Sequence, residues 1–380
     1  MEKNKMEKIQ VLKPRYRVDE CLSEIKECLE IGWTGMGFKT VELEKKWKAY
    51  TGLNHAHFLN SATSGLHLAV NILKEKNGWD ENSEIITSPM TFVSTNHAIM
   101  YENLKPVFAD IDNSLNLNPQ SVLEKINSNT KAIIFIGIGG NTTNMIEIIK
   151  IAREHNISII LDAAHMAGSY HNGKHVGFDV DVAVFSFQAV KNMPTADSGM
   201  ICFKNEDDDK RCRELSWLGI NKDTFARSNE GSYKWDYNVN DAGFKYHGNS
   251  VMAALGLVGL KYLDADNAYR RQIAYWYEQN LQEKVDIIHH ESAETSRHLF
   301  QVVVENREKV IDYLTQNNIF PGVHYRQNTE YKPYKIEYNC EKSNYFSERV
   351  LTLPIHTFLT KNDIDKISKT LLEAIEYAKK

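Results

Sequence analysis

From residue 55 to residue 187 the chain alternates short apolar runs with helical stretches. The runs are HAHFLN (55–60), EIITSP (84–89), KPVFADI (105–111), KAIIFIGI (131–138), ISIILDA (157–163) and VAVFSF (182–187). Helices are expected between them at 64–76, 93–101, 119–127 and 145–155. Near-continuous apolar strands suit a sheet covered on both faces, and helical crossovers make its strands parallel. The pattern predicts an α/β fold built on a large, doubly wound, mostly parallel sheet.

Before this region, residues 17–31 read as an amphipathic helix. Val18, Leu22, Ile25 and Leu29 form its apolar stripe, and Gly32 ends it. The glycine loop GWTGMG and a second helix, KTVELEKKWKAYTG, follow. Beyond the sheet lies a polar, aromatic stretch from Asn221 to His247. A long apolar helix comes next over 249–284, expected to bend or break. The segments HLFQVVVE and VLTLPIHTF read as strands, and 307–317 and 361–379 as helices. The expected organisation is a large domain over 1–255, with an N-terminal arm, and a smaller α+β domain over 256–380.

Composition narrows the function classes. The net charge of −5 gives no polyanion-binding signal, so nucleic acid is not an expected partner. The five cysteines are scattered and lack a C-x-x-C pair, so neither a disulfide framework nor a cysteine zinc site is expected. The start, MEKNKMEKIQ, has no apolar core of a secretory signal, and VMAALGLVGL (251–260) is too short to span a membrane. A cytoplasmic protein without a membrane partner is expected.

Ligands of open α/β sheets collect beyond the carboxyl ends of the strands. There the first run leads into NSATSGLHLAV, where small residues open a helix. Such an N-terminus can cradle a phosphate, although a plain Ser/Thr cap explains the same residues. Phe92 follows the second run and can stack on a planar ring or fill a core. Asp162 ends ISIIL and should be partly buried, which is costly for an unpaired charge. It can cap a helix or pair with a protonated ring nitrogen. His165 lies three residues on, one helical turn away. VAVFSF brings Ser186, and Lys191 sits in the loop beyond it. A lysine in a partly desolvated site loses proton affinity and becomes a nucleophile, whereas a solvated loop lysine does not. Phosphate cradle, stacking ring, carboxylate and amine together are the parts of a pyridoxal phosphate site. No GxGxxG dinucleotide motif competes; GIGGNTTNM does not match it.

Nearly end to end, the chain resembles the DegT/DnrJ/StrS group of fold-type I, pyridoxal phosphate-dependent sugar aminotransferases. The segments that carry the likeness are NSATSGLHLAV, EIITSPMTFVSTNHAI, ILDAAHMAGSY and FSFQAVKNMPTADSGM, supported by GFKYHGNSVMAALGLVGL and GVHY. The resemblance implies a Schiff base on Lys191 and a pairing of Asp162 with the pyridine nitrogen. It places His165 at the ring hydroxyl, Phe92 over the ring, and the phosphate on the Ala62 and Thr63 backbone and the Ser186 hydroxyl. Lys245 would reach the phosphate of a neighbouring subunit, implying a homodimer with shared active sites. Thr34, His324 and Tyr325 are implied substrate contacts. The implied reaction moves an amino group from L-glutamate, through pyridoxamine 5′-phosphate, to a nucleotide-linked keto-sugar. A dehydratase of the same group is the nearest alternative, but a histidine is expected at the lysine position there. Another fold-type I reaction on a small keto substrate is a further one. Three places depart from the family pattern, all expected near the substrate. They are Gly137 with Gly140 in place of His-x-x-Gly, TADSG (195–199) in place of TGEGG, and HGNS (247–250).

Overall fold

The computed structural model describes residues 8–221, 237–334 and 339–380. Its centre is a seven-stranded sheet in the order β2-β10-β9-β6-β5-β3-β4. The strands are β2 (His57–Leu59), β3 (Glu84–Thr87), β4 (Lys105–Phe108), β5 (Thr130–Ile136), β6 (Ser158–Asp162), β9 (Val182–Ser186) and β10 (Gly199–Phe203). Only β10 runs against the others, pairing antiparallel with both β9 and β2. All six apolar runs became strands of this sheet, and apart from the edge strand β4 their side chains are largely buried on both faces, as a doubly covered sheet requires.

The crossover helices fall where expected: α3 (Ala62–Asn77), α4 (Val93–Tyr101), Pro119–Lys125 and Met145–Glu154. Near the N-terminus, β1 (Ile9–Gln10) pairs in parallel with β13 (Ile319–Phe320). A hairpin of β7 (Tyr170–His171) and β8 (Lys174–His175) follows β6. A three-stranded sheet of β11 (Asp286–Ile287), β12 (Phe300–Val303) and β14 (Val350–Leu353) packs in a separate core with helices Arg307–Gln316 and Lys361–Ala378.

Two expectations need correction. The helix after residue 249 does not break; it runs from Ser250 to Leu281. Its apolar start meets the large core at Ala253 and Leu257, and its end meets the smaller core at Ile273 and Tyr277. The first helix, α1 (Val18–Ile31), forms as expected and ends at Gly32 in the left-handed conformation. Its apolar stripe is not packed, however. Val18, Leu22 and Leu29 are 60%, 59% and 62% exposed, and the helix instead buries Cys21 and Cys28. Periodicity located an apolar face correctly but could not say what covers it. Of the polar stretch at 221–247, residues 222–236 lie outside the described residues.

Candidate active site

The carboxyl ends of β3, β5, β6 and β9 open on one cavity of about 480 Å³. Ala62, Thr63, Phe92, Asp162, His165, Ser186 and Lys191 all line it. His324 and Tyr325 reach it from the loop after β13. The sheet thus brings together residues 62 to 325 that the sequence reading chose separately. Thr34 and Lys245 do not line the cavity of this chain. Thr34 is exposed, with its carbonyl accepting from the Ser250 N–H, and the Lys245 ammonium sits 3.5 Å from the Trp217 ring centroid.

Asp162 is the last residue of β6 and is buried. Its carboxylate accepts from the Thr95 hydroxyl at 2.7 Å and from the Ala164 N–H at 3.1 Å. Desolvation raises its pKa against those two hydrogen bonds and the Lys191 charge. His165 follows not through a helical turn but through a tight turn, closed by the Met166 N–H on the Ala163 carbonyl. Its Nδ1 accepts from the Gly139 N–H at 3.2 Å, and its Nε2 lies 3.1 Å from the Tyr325 hydroxyl. Burial holds the ring well below its ordinary pKa, and the Lys191 and His324 charges act the same way.

Lys191 lies in the turn after β9, where its N–H donates to the Gln188 carbonyl. Its ammonium meets no hydrogen-bond or ion-pair partner among the described residues. Burial lowers its pKa from 10.5 to about 8, opposed by the charge of Asp162. The amine is therefore not one of the solvated lysines of the surface.

At α3, Ser61 caps the helix by accepting from the Ser64 N–H. The Ala62 and Thr63 N–H groups, at the first two helical positions, have no acceptor among the described residues and face the cavity. The cap is therefore present on the Ser64 N–H, and the two N–H groups before it are left open beside the cavity. Gly199 is what allows β10 to pass here: a Cβ on it would stand 2.7 Å from the Ala62 nitrogen. Phe92 precedes α4 and stays 58% exposed, its ring in the cavity wall with Tyr325 6.2 Å away.

The departures from the family pattern separate. Gly137 faces the core, where a Cβ would stand 2.2 Å from the Met166 sulfur. Met166 fills the space a side chain at 137 would take, so this glycine answers to packing rather than to a ligand. Gly248 is likewise held by close approach to the Phe58 ring. Only TADSG reaches the cavity, through Asp197 and Ser198. The Ser198 and Thr195 hydroxyls lie 2.7 Å apart and fix that loop.

Several site residues escaped the sequence reading. Thr95 orients Asp162 from one turn beyond Thr91 on α4. Gly139, with φ of 65°, turns its N–H onto His165. His298 lines the cavity just before β12, and no motif announces it.

The sequence profile of the DegT/DnrJ/EryC1/StrS aminotransferase family matches residues 16–372. The chain belongs to this family. The aminotransferase is 33% identical over 362 residues to the uncharacterized protein MJ1066 of Methanocaldococcus jannaschii, covering 91% of this chain and 92% of that protein. It is 31% identical to the spore coat polysaccharide biosynthesis protein SpsC of Bacillus subtilis, covering 94% and 95%. Among solved structures it resembles Spr1654 of Streptococcus pneumoniae in its PMP-form, with a TM-score of 0.88, 28% identity and 97% and 99% coverage. Spr1654 is also solved in a PLP-form. The fold is thus that of fold-type I transferases, and aminotransferases of this family depend on pyridoxal phosphate. No helix among the described residues is long and apolar enough to cross a membrane.

Proposed function

We propose that this aminotransferase moves the amino group of L-glutamate to a nucleotide-linked keto-sugar, with pyridoxal phosphate held at Lys191. One observation carries the reading. An unpartnered lysine with lowered proton affinity and a desolvated carboxylate with no cation in contact face the same cavity. Each lacks what the cofactor would bring, an aldehyde for the amine and a protonated ring nitrogen for the carboxylate.

The other residues fit the group as well. The Ala62 and Thr63 N–H groups and the Ser186 hydroxyl would hold the phosphate, aided by the positive end of α3. Phe92 would cover one ring face, and His165 would stand at the ring hydroxyl. Bound there, the cofactor supplies an aldehyde that captures amines and a ring that accepts the electron pair left when a proton departs. Lys191 would act as the base that takes up a proton from the donor and the acid that gives it back, its amine lying in the same cavity. With a pKa near 8 its free amine is available at neutral pH. Asp162 would pair with the protonated ring nitrogen, and the Thr95 hydroxyl bond would hold its carboxylate in place.

We further propose a homodimer. The stripe of Val18, Leu22 and Leu29 on α1 is an apolar face that a second copy would cover. Thr34 and Lys245, which miss this chain's cavity, would then serve the cavity of the other copy as substrate and phosphate contacts. His324 and Tyr325 remain substrate contacts of their own cavity. The division near residue 255 is retained as an organisation into two cores joined by the helix Ser250–Leu281. The proposed setting is cytoplasmic synthesis of amino-sugar precursors for polysaccharide; the likeness to SpsC, a spore coat polysaccharide biosynthesis protein, supports the polysaccharide part.

The test is a screen of 3-keto and 4-keto nucleotide sugars with L-glutamate, read by mass. A product carrying the amine in place of the ketone is expected for at least one of them. Amination of small keto acids alone, with no sugar product, would contradict the reading.

A further inference from the structure

Two histidines in the cavity wall have their ring protons fixed by groups that cannot reverse roles. Asn192 donates its amide N–H to the Ser296 carbonyl at 2.8 Å, a group that can only accept. Its side-chain oxygen therefore faces the other way, 2.7 Å from His298 Nδ1. That nitrogen must carry a proton to make the contact. In the neutral ring Nε2 is then a bare acceptor. It has no partner among the described residues, and His298 lines the cavity. Burial, with the charges of His165, Lys191, Arg270 and His324, disfavours the doubly protonated ring.

His165 has the opposite pattern. The Gly139 N–H can only donate, so His165 Nδ1 accepts, and the ring proton sits on Nε2. That proton points at the Tyr325 oxygen, 3.1 Å away. The phenol's own hydrogen is left without an acceptor among the described residues, beside the cavity. Burial raises the Tyr325 pKa, so it remains a donor. Both groups pack on the His165 ring, with centroids 4.5 Å away for His298 and 6.1 Å for Tyr325. The cavity wall thus offers a fixed acceptor and a fixed donor, both packed on the His165 ring.

We infer that this wall recognises a ketone with a hydroxyl on the neighbouring carbon. The hydroxyl donates to His298 Nε2, and the Tyr325 O–H donates to the carbonyl oxygen. The inference rests on the sugar-aminotransferase reading and narrows its substrate class to keto-sugars that retain that hydroxyl. His298 is a specificity-determining residue, and Asn192 and Gly139 are positioning residues. A site built to bond a hydroxyl discriminates strongly against the analogue that lacks it, because its polar group is left unpaired.

The test uses the holoenzyme with L-glutamate and two acceptors: a keto nucleotide sugar with the neighbouring hydroxyl, and its deoxy counterpart. Wild type is expected to prefer the first by about 10- to 100-fold in kcat/KM, the penalty of one buried polar group left unpaired. His298→Phe should bring the ratio close to one, while His298→Gln, which keeps an oxygen acceptor, should retain part of it. Equal use of both sugars by wild type, or an unchanged ratio in His298→Phe, would overturn the assignment. A readout independent of turnover is nitrogen NMR of histidine-labelled apo-protein. It should show an unprotonated Nε2 that disappears in His298→Phe; a protonated Nε2 at His298 would refute the tautomer. Absence of 2-oxoglutarate from glutamate would instead strike the aminotransferase reading. In that case calorimetry of the two sugars on apo-protein still decides the inference, by the same preference or its absence.

Discussion

Lys191 should behave as an amine with a pKa near 8 even before any cofactor is bound. The perturbation is pH, applied to apo-protein with and without Asp162→Asn. The magnitude follows from the site: burial takes Lys191 from 10.5 to about 8 while the Asp162 carboxylate pulls the other way. At pH 7 about one amine in ten would be neutral, against about one in three thousand for an ordinary lysine. That is a ~300-fold advantage in reactive amine. The assay is the rate of reductive methylation by formaldehyde, followed residue by residue through peptide mass spectrometry. The Lys191 rate should rise with pH and level off above a midpoint near 8. Surface lysines should still be gaining rate at pH 10. In Asp162→Asn burial acts unopposed, so the midpoint should move lower. A Lys191 midpoint with the bulk lysines, or an upward shift in Asp162→Asn, would refute the reasoning.

Four further outcomes are expected. Lys191→Ala should lose both the visible absorbance of lysine-bound pyridoxal phosphate and turnover; a fully active variant would remove Lys191 from the chemistry. Thr95→Val deletes a buried hydrogen bond to Asp162 and should weaken cofactor binding about tenfold, measured by titration of apo-protein. Gly137→Ala meets Met166 and should cost about 1–3 kcal/mol of stability by denaturant unfolding, with part restored by adding Met166→Ala. The proposed homodimer predicts a dimer mass in light scattering for wild type and a monomer mass for Leu22→Asp, which places a charge in the exposed stripe of α1; a monomeric wild type or an unchanged mass in the variant would contradict that interface.

The site was legible because its residues sit at strand ends, and the strands declare themselves as apolar runs. Asp162 and Ser186 are the last residues of their strands, and the Ala62–Thr63 pair follows another closely. Lys191 needed the company of the others, since nothing local distinguishes it from a solvated lysine. His298 was not legible: it also borders a strand, but its proposed role depends on Asn192, which only tertiary contacts bring beside it. The antiparallel β10 was overlooked because it follows a loop of polar and small residues read only for its chemistry. The exposed stripe of α1 shows a different limit. Period 3.6 marks an apolar face, and a core and a subunit interface produce the same period. Gly137 read as a substrate-site departure because its neighbour in space, Met166, lies far along the chain.

The central claim is tested most directly by the first half of the reaction, with no sugar present. Purified holoenzyme is mixed with L-glutamate, and 2-oxoglutarate and the bound cofactor are quantified. The account predicts one 2-oxoglutarate per active site and conversion of the bound pyridoxal phosphate to its pyridoxamine form, both absent in Lys191→Ala. A wild-type enzyme that binds pyridoxal phosphate yet leaves glutamate untouched would contradict it.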